Sequence, residues 1–139
     1  MKIGSSITLL NEADTLSYGK QLAKQLKPGQ LIYLKGHLGA GKTTLVRGIL
    51  RGLGHQDKVK SPTFTIVEPY QFEQFSLYHF DLYRLQDSNE LETLGFRDYV
   101  NNNSICLIEW PEKAEHFLPM ADLNIHLKIK DNNRLLTIS

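Results

Sequence analysis

Leu31-Ile-Tyr-Leu-Lys-Gly36-His-Leu-Gly-Ala-Gly41-Lys42-Thr43-Thr44-Leu-Val-Arg-Gly-Ile-Leu50 reads as a buried strand, a glycine loop and an amphipathic helix. Leu31 to Leu34 is a compact apolar run, and Leu45, Val46, Ile49, Leu50 and Leu53 fall on one helical stripe. Between them stands Gly-x-x-x-x-Gly-Lys-Thr, the spacing that wraps backbone N–H groups around nucleotide phosphates. Gly36, Gly39, Ala40, Gly41 and Thr44 supply the backbone of that cradle, and the following helix aims its positive end at the same charge. Lys42 is expected to reach the β/γ-phosphates and the Thr43 hydroxyl to ligate Mg²⁺.

The rest of the composition sets limits. A chain of 139 residues with 41% hydrophobic and 22% charged residues reads as one soluble globular domain spanning 1–139. A net charge of +1 argues against a dedicated polyanion binder. The single cysteine, Cys106, lies inside the apolar run Ile105 to Ile108 and reads as a small core residue, which suits a reducing, cytoplasmic setting. Neither a signal peptide nor a membrane span is expected.

Along the chain, Ser5 to Leu10 reads as a short strand with Ile7 and Leu9 on one side. Asn11 caps a helix whose inner face is Leu16, Gly19, Leu22, Ala23 and Leu26, and Pro28-Gly29 stops it. Gly54 closes the helix after the glycine loop. Arg47 and Arg51 share one face of that helix, either as a contact for RNA or an acidic partner or as a solvated surface. Two strands follow, around Val67 and Leu77, then short helices from Asp87 to Val100. Ser104 to Glu109 is an apolar strand ending in a carboxylate, and Pro111 suits the first turn of a short helix. Leu123 to Ile138 alternates about a turn at Asp131-Asn132-Asn133, giving a C-terminal hairpin. The fold class is α/β, a single P-loop NTPase-like domain with a mainly parallel central sheet, antiparallel flanking strands and helices on both faces.

Such a loop needs an acid at a neighbouring strand end to complete an Mg²⁺ site. Glu109, after Ile-Cys-Leu-Ile, and Asp81, after Leu-Tyr-His-Phe, both qualify. Which of them binds metal and which orients water stays open. Thr63 is either a γ-phosphate-sensing switch hydroxyl or part of a plain turn. Arg84 is either a charge stabiliser in cis or a surface ion pair, and Trp110 either a partner anchor or a packing residue. His37, His55, His79, His116 and His126 are scattered, without metal-site or triad spacing.

Five segments in order resemble the bacterial TsaE (YjeE) family, a P-loop ATPase of tRNA threonylcarbamoyladenosine biosynthesis. They are Gly36-x-Leu-Gly-Ala-Gly-Lys-Thr-Thr44, Lys60-Ser-Pro-Thr-Phe-Thr65, Tyr78-His-Phe-Asp-Leu-Tyr-Arg84, Leu94-Gly-Phe-Arg-Asp-Tyr99 and Leu107-Ile-Glu-Trp-Pro111. The resemblance implies weak Mg²⁺-dependent ATP hydrolysis and action on a TsaB–TsaD pair that modifies adenosine 37 of ANN-decoding tRNAs. The tRNA is then met indirectly, through that pair. Carried over by position, Lys42, Asp81 and Glu109 are catalytic, Thr43 and Glu109 hold metal, and Thr63 and Trp110 are switch and functional positions. His37 stands where the family commonly has Asp.

Two other functions compete with this one. A small P-loop kinase would need an arginine-bearing lid, and Asp87 to Asn103 carries one Arg among several acids. A non-hydrolysing ATP-dependent interaction switch would release no ADP.

Overall fold

The computed structural model describes residues 3–139. The elements run β1 (Ser6–Leu9), α1 (Glu12–Ala23), β2 (Leu31–Lys35), α2 (Lys42–Gly52), β3 (Val67–Gln71) and β4 (Ser76–Asp81). They continue with α3 (Asn89–Leu94), α4 (Phe96–Tyr99), β5 (Ser104–Glu109), a 3-10 turn (Pro111–Ala114), β6 (Leu123–Lys130) and β7 (Asn133–Ile138). The strands form a seven-stranded sheet in the order β1-β7-β6-β2-β5-β4-β3, mainly parallel at its centre with antiparallel pairs at both ends. The α/β class read from the sequence is what the chain adopts.

The chain forms two compact units that interleave in sequence. One holds the chain up to Leu26, Leu34–Val59 and Asn124–Ser139, and the other Lys27–Tyr33 and Lys60–Leu123. β2 runs through the boundary.

In the first unit, α1 begins where expected. The Asn11 side chain accepts from the Asp14 N–H at 2.8 Å, and the Asp14 carboxylate accepts from the Leu10 N–H at 3.0 Å. That reciprocal pair satisfies two N-terminal donors and fixes the helix start. Leu22 and Ala23 of α1 and Leu45, Val46, Ile49 and Leu50 of α2 are buried, so the apolar stripes face inward. Ile125, Leu127, Leu136 and Ile138 of the β6–β7 hairpin add to this core. Full burial of each such side chain contributes roughly 1.5–3 kcal/mol. Ile7 departs from the expected alternation. It is 41% exposed whereas Leu9 is buried, because β1 is an end strand with a partner on one side only.

Arg51, read as either a partner contact or part of a solvated surface, has a local structural role. Its guanidinium donates to the carbonyl oxygens of His55 (2.8 Å) and Asp57 (2.7 Å), tying down the turn after α2. Arg47 pairs with Glu12 at 3.5 Å across exposed surface.

The second unit is built on β3, β4 and β5. β5 is buried from end to end, as its unbroken apolar run requires, and β3 stands at the sheet edge, where Pro69 costs no ladder bond. Leu31, Phe80, Leu82, Leu91, Phe96, Cys106 and Ile108 pack one core. Phe80 meets the rings of Phe96 and Tyr99 edge-on at 5.3 and 5.4 Å. Cys106 is buried there, as its neighbours predict, and burial pushes its thiol up to about 12.

Candidate functional site

The glycine loop belongs to the first unit. β2 ends at Lys35 and α2 begins at Lys42, so residues 36–41 bridge strand to helix with no slack. Gly36 has φ +152°, and a Cβ there would lie 2.6 Å from the Leu127 carbonyl oxygen, a position closed to any other residue. Gly41 is the N-cap of α2 in the left-handed region, with no side-chain cap, and the first turn of α2 carries no acid. The helix therefore presents backbone N–H groups and a positive dipole end that none of its own side chains neutralises. Lys42 is 5% exposed, and its Nζ donates to the Gly36 carbonyl oxygen at 2.5 Å, which draws the ammonium back over the loop. The Ala40 N–H donates to the His37 carbonyl at 3.1 Å, the His37 side chain is exposed, Thr43 is exposed and Thr44 half-buried.

A cleft beside the loop is lined by Asn11, Thr15, Gly39, Gly41, Thr44 and Arg134, among others. Arg134 donates from Nη2 to the Gly39 carbonyl oxygen at 3.2 Å. Neither Asn11, Thr15 nor Arg134 was a candidate on sequence, since no spacing ties them to the loop.

The acids belong to the second unit. β4 and β5 are parallel, with Asp81 opposite Glu109 and His79 opposite Leu107. Strand alternation therefore puts His79, Asp81 and Glu109 on one face. The His79 Nε2–H donates to Glu109 Oε2 at 2.6 Å, and both side chains are buried (1% and 5% exposed). His79 Nδ1 is buried without a hydrogen-bond partner. Leaving such an atom unpaired costs about 1–3 kcal/mol. The histidine was set aside as scattered on sequence; the signal for it was its place two residues before Asp81 on the same strand.

Asp81 accepts from the Tyr83 N–H at 3.0 Å and from the Thr63 hydroxyl at 3.3 Å. Burial holds its carboxyl above the ordinary range. The Tyr83 N–H opposes that, the Glu109 charge adds to it, and His79 and Thr63 lower it again. Thr63 thus joins the acid cluster, its hydroxyl also lying 2.7 Å from that of Ser61. The loop carrying Thr63 ends at Ile66, a β-branched residue at φ +71°, whose carbonyl accepts from the Asp81 N–H at 2.9 Å. A residue of that shape in the left-handed region is strained.

Arg84 makes no ion pair with Asp81. Its guanidinium lies 4.4 Å over the ring of Phe64, which is 81% exposed. Trp110 is half-buried at φ +57° directly before Pro111, packs on the core of its unit and has its ring 5.0 Å from that of Tyr83. The loop residues Gly36 to Thr44 all lie in the first unit, and Thr63, Asp81, Arg84, Glu109 and Trp110 in the second. Among the described residues no group of three or more His, Cys, Asp or Glu is arranged to hold a metal alone. No helix among them is long and apolar enough to cross a membrane.

A seven-stranded sheet with a parallel centre, antiparallel ends and accompanying helices defines a mixed α/β protein. A family model described as threonylcarbamoyl adenosine biosynthesis protein TsaE matches residues 9–136. The tRNA threonylcarbamoyladenosine biosynthesis protein TsaE of Haemophilus influenzae is 50% identical over 129 residues, covering 89% of this chain and 82% of the relative. Its namesake in Bacillus subtilis is 40% identical over 131 residues, 94% of this chain and 82% of the relative. The crystal structure of Bacillus subtilis YdiB is similar with a TM-score of 0.77 and 33% identity, over 99% of this chain and 87% of that one. The chain belongs to the TsaE family.

Proposed function

We propose that this protein binds and slowly hydrolyses Mg²⁺–ATP as an accessory subunit of tRNA threonylcarbamoyl modification. The observation that carries the reading is the loop from Gly36 to Thr44, where an uncapped helix start and a buried lysine ammonium converge within one short turn. Backbone N–H groups of Gly39, Gly41 and Thr44, with Lys42, hold the phosphates, and Ala40, its N–H bonded to the His37 carbonyl, shapes the loop around them. The cleft at Asn11, Thr15 and Arg134 takes the nucleoside.

Thr43 and Glu109 supply hard oxygen ligands of the kind Mg²⁺ takes. Those two residues would hold the ion through one hydroxyl and one carboxylate oxygen, the hard donors that Mg²⁺ prefers. When bound, the metal would supply neutralisation of the charge developing on the phosphates. Asp81 or Glu109 orients the attacking water, and Thr63, already bonded to Asp81, links the loop at Ser61 to Thr65 with that acid. The exposed Arg84 and the half-buried Trp110 meet the partner.

Family membership supports a TsaB–TsaD-type pair as that partner, with tRNA reached through the pair, and hence a cytoplasmic workplace without membrane contact. Titration of ATP tests the core of the reading. Lys42→Ala should weaken binding about 10- to 100-fold, the range for losing a charge-assisted hydrogen bond. Unchanged affinity removes the proposal. ADP release should rise when the pair and tRNA are added and fall in Glu109→Gln. Transfer of phosphate to a small acceptor faster than hydrolysis would replace the ATPase with a kinase.

A further inference from the structure

His79 is a histidine in a place that packing alone would fill with an apolar side chain. Its strand neighbours Leu77 and Phe80 are fully buried, and it is 1% exposed itself. A histidine kept for architecture would spend both ring nitrogens. Here Nδ1 has no partner, and the ring's one hydrogen bond, from Nε2–H, goes to Glu109 Oε2 at 2.6 Å. Glu109 in turn has no other side-chain hydrogen bond among the described residues, so its Oε1 remains available to a ligand. The polar chemistry of His79 is directed at one carboxylate oxygen.

We infer that His79 is a positioning residue for Glu109, holding Oε2 so that the carboxylate offers Oε1 to Mg²⁺ in a fixed orientation. The inference rests on the reading of Glu109 as a residue of a Mg²⁺–ATP site. Mg²⁺ tolerates little departure from octahedral geometry, so a ligand with three rotatable bonds serves it well only when its rotamer is set beforehand. Hydrogen bonds that orient a metal-binding group commonly change metal affinity about 10- to 100-fold when removed. β4 and β5 supply the rigidity, since their parallel register fixes the spacing of the two side chains.

The test uses the full chain and a fluorescent ATP analogue. Three quantities are measured: analogue affinity in EDTA, the Mg²⁺ concentration that half-saturates the metal-dependent change in binding, and the unfolding temperature without ligand. His79→Gln keeps a donor the same number of bonds from Cα as Nε2. His79→Leu keeps the bulk without a donor, and His79→Asn keeps polarity but stops short of Glu109. The expected result is a Mg²⁺ half-saturation about 10- to 100-fold higher in His79→Leu and His79→Asn, with the affinity in EDTA unchanged. His79→Gln should lie within a few-fold of the parent. If His79→Leu does not fold, the His79→Asn and His79→Gln pair decides. The inference fails if the variants keep the parent's half-saturation. It fails equally if the rise in half-saturating Mg²⁺ comes with a loss of affinity in EDTA and a fall in the unfolding temperature, the pattern of a merely structural residue. Failure of the underlying reading shows in the parent alone, as analogue binding that is absent or indifferent to Mg²⁺, and that result overturns both.

Discussion

Gly48 of α2 lies so close against Leu16 of α1 that a Cβ on it would be 2.4 Å from the Leu16 carbonyl oxygen. Gly19 returns the contact, its own Cβ position falling 2.7 Å from the Leu45 carbonyl. The obstacle on each side is backbone, which cannot rotate away. Gly48→Ala gains about 1 kcal/mol of helix propensity. It loses more to overpacking, which costs about 1–3 kcal/mol and here falls at the upper end. The urea midpoint should therefore drop, with Gly48→Ser at least as low. An unchanged midpoint would show that the two helices separate without penalty.

Asp81 makes stability depend on pH in a direction that its environment sets. Its carboxyl is held above the ordinary 3.8 in the fold, chiefly by burial, so the folded protein binds that proton more tightly than the unfolded chain. The group's contribution is whole below 3.8 and is lost as pH rises through the raised value. Without nucleotide, Asp81→Asn should unfold at a higher temperature than the parent at pH 7, and the gap should close in acid. Asn retains an acceptor for the Tyr83 N–H and gains a donor toward Thr63. A gap that widens in acid contradicts the assignment.

Arg134 reaches the glycine loop through one hydrogen bond, to the Gly39 carbonyl, and borders the cleft beside it. Arg134→Ala should weaken ATP binding about threefold to tenfold, the value of a single partly exposed hydrogen bond. Calorimetric titration with ATP and with inorganic triphosphate locates the effect. Equal losses place it on the loop, a loss for ATP alone places it on the nucleoside, and no loss for either ligand contradicts the role.

Trp110 separates ring from backbone. Its left-handed conformation costs an L-residue about 1–2 kcal/mol, a cost that glycine escapes. Trp110→Gly should therefore be more stable than Trp110→Ala by about 1 kcal/mol. Both should bind ATP as the parent does and lose partner-stimulated hydrolysis. Full stimulation in both would leave the ring as packing against Tyr83.

The parts of the site readable in advance are those written locally. Glycines five apart from Gly36 to Gly41, the apolar stripe from Leu45 to Leu50 and the Asn11 cap all act within a few residues, and each took its expected form. Glu109 and Asp81 were visible because an apolar run that stops on an acid marks a strand end. The His79–Glu109 bond was not, because it joins residues 30 apart through the register of two strands. The role of Arg51 is not written in its spacing either. Charge counts cannot show a guanidinium already committed to the carbonyls of His55 and Asp57. Thr63 was left between switch and turn, and only the bond to Asp81 ties it to the acids.

Gly36 and Gly39 also impose a timetable. The carbonyl of Leu127 sits in the space a Cβ on Gly36 would need, and the arginine that holds Gly39 is 95 positions further along. On a translating ribosome the loop is made well before the strands that brace it. The fixed shape of the loop therefore waits for β6 and β7, so, on the proposed function, a nascent chain halted after β5 should emerge unable to engage nucleotide.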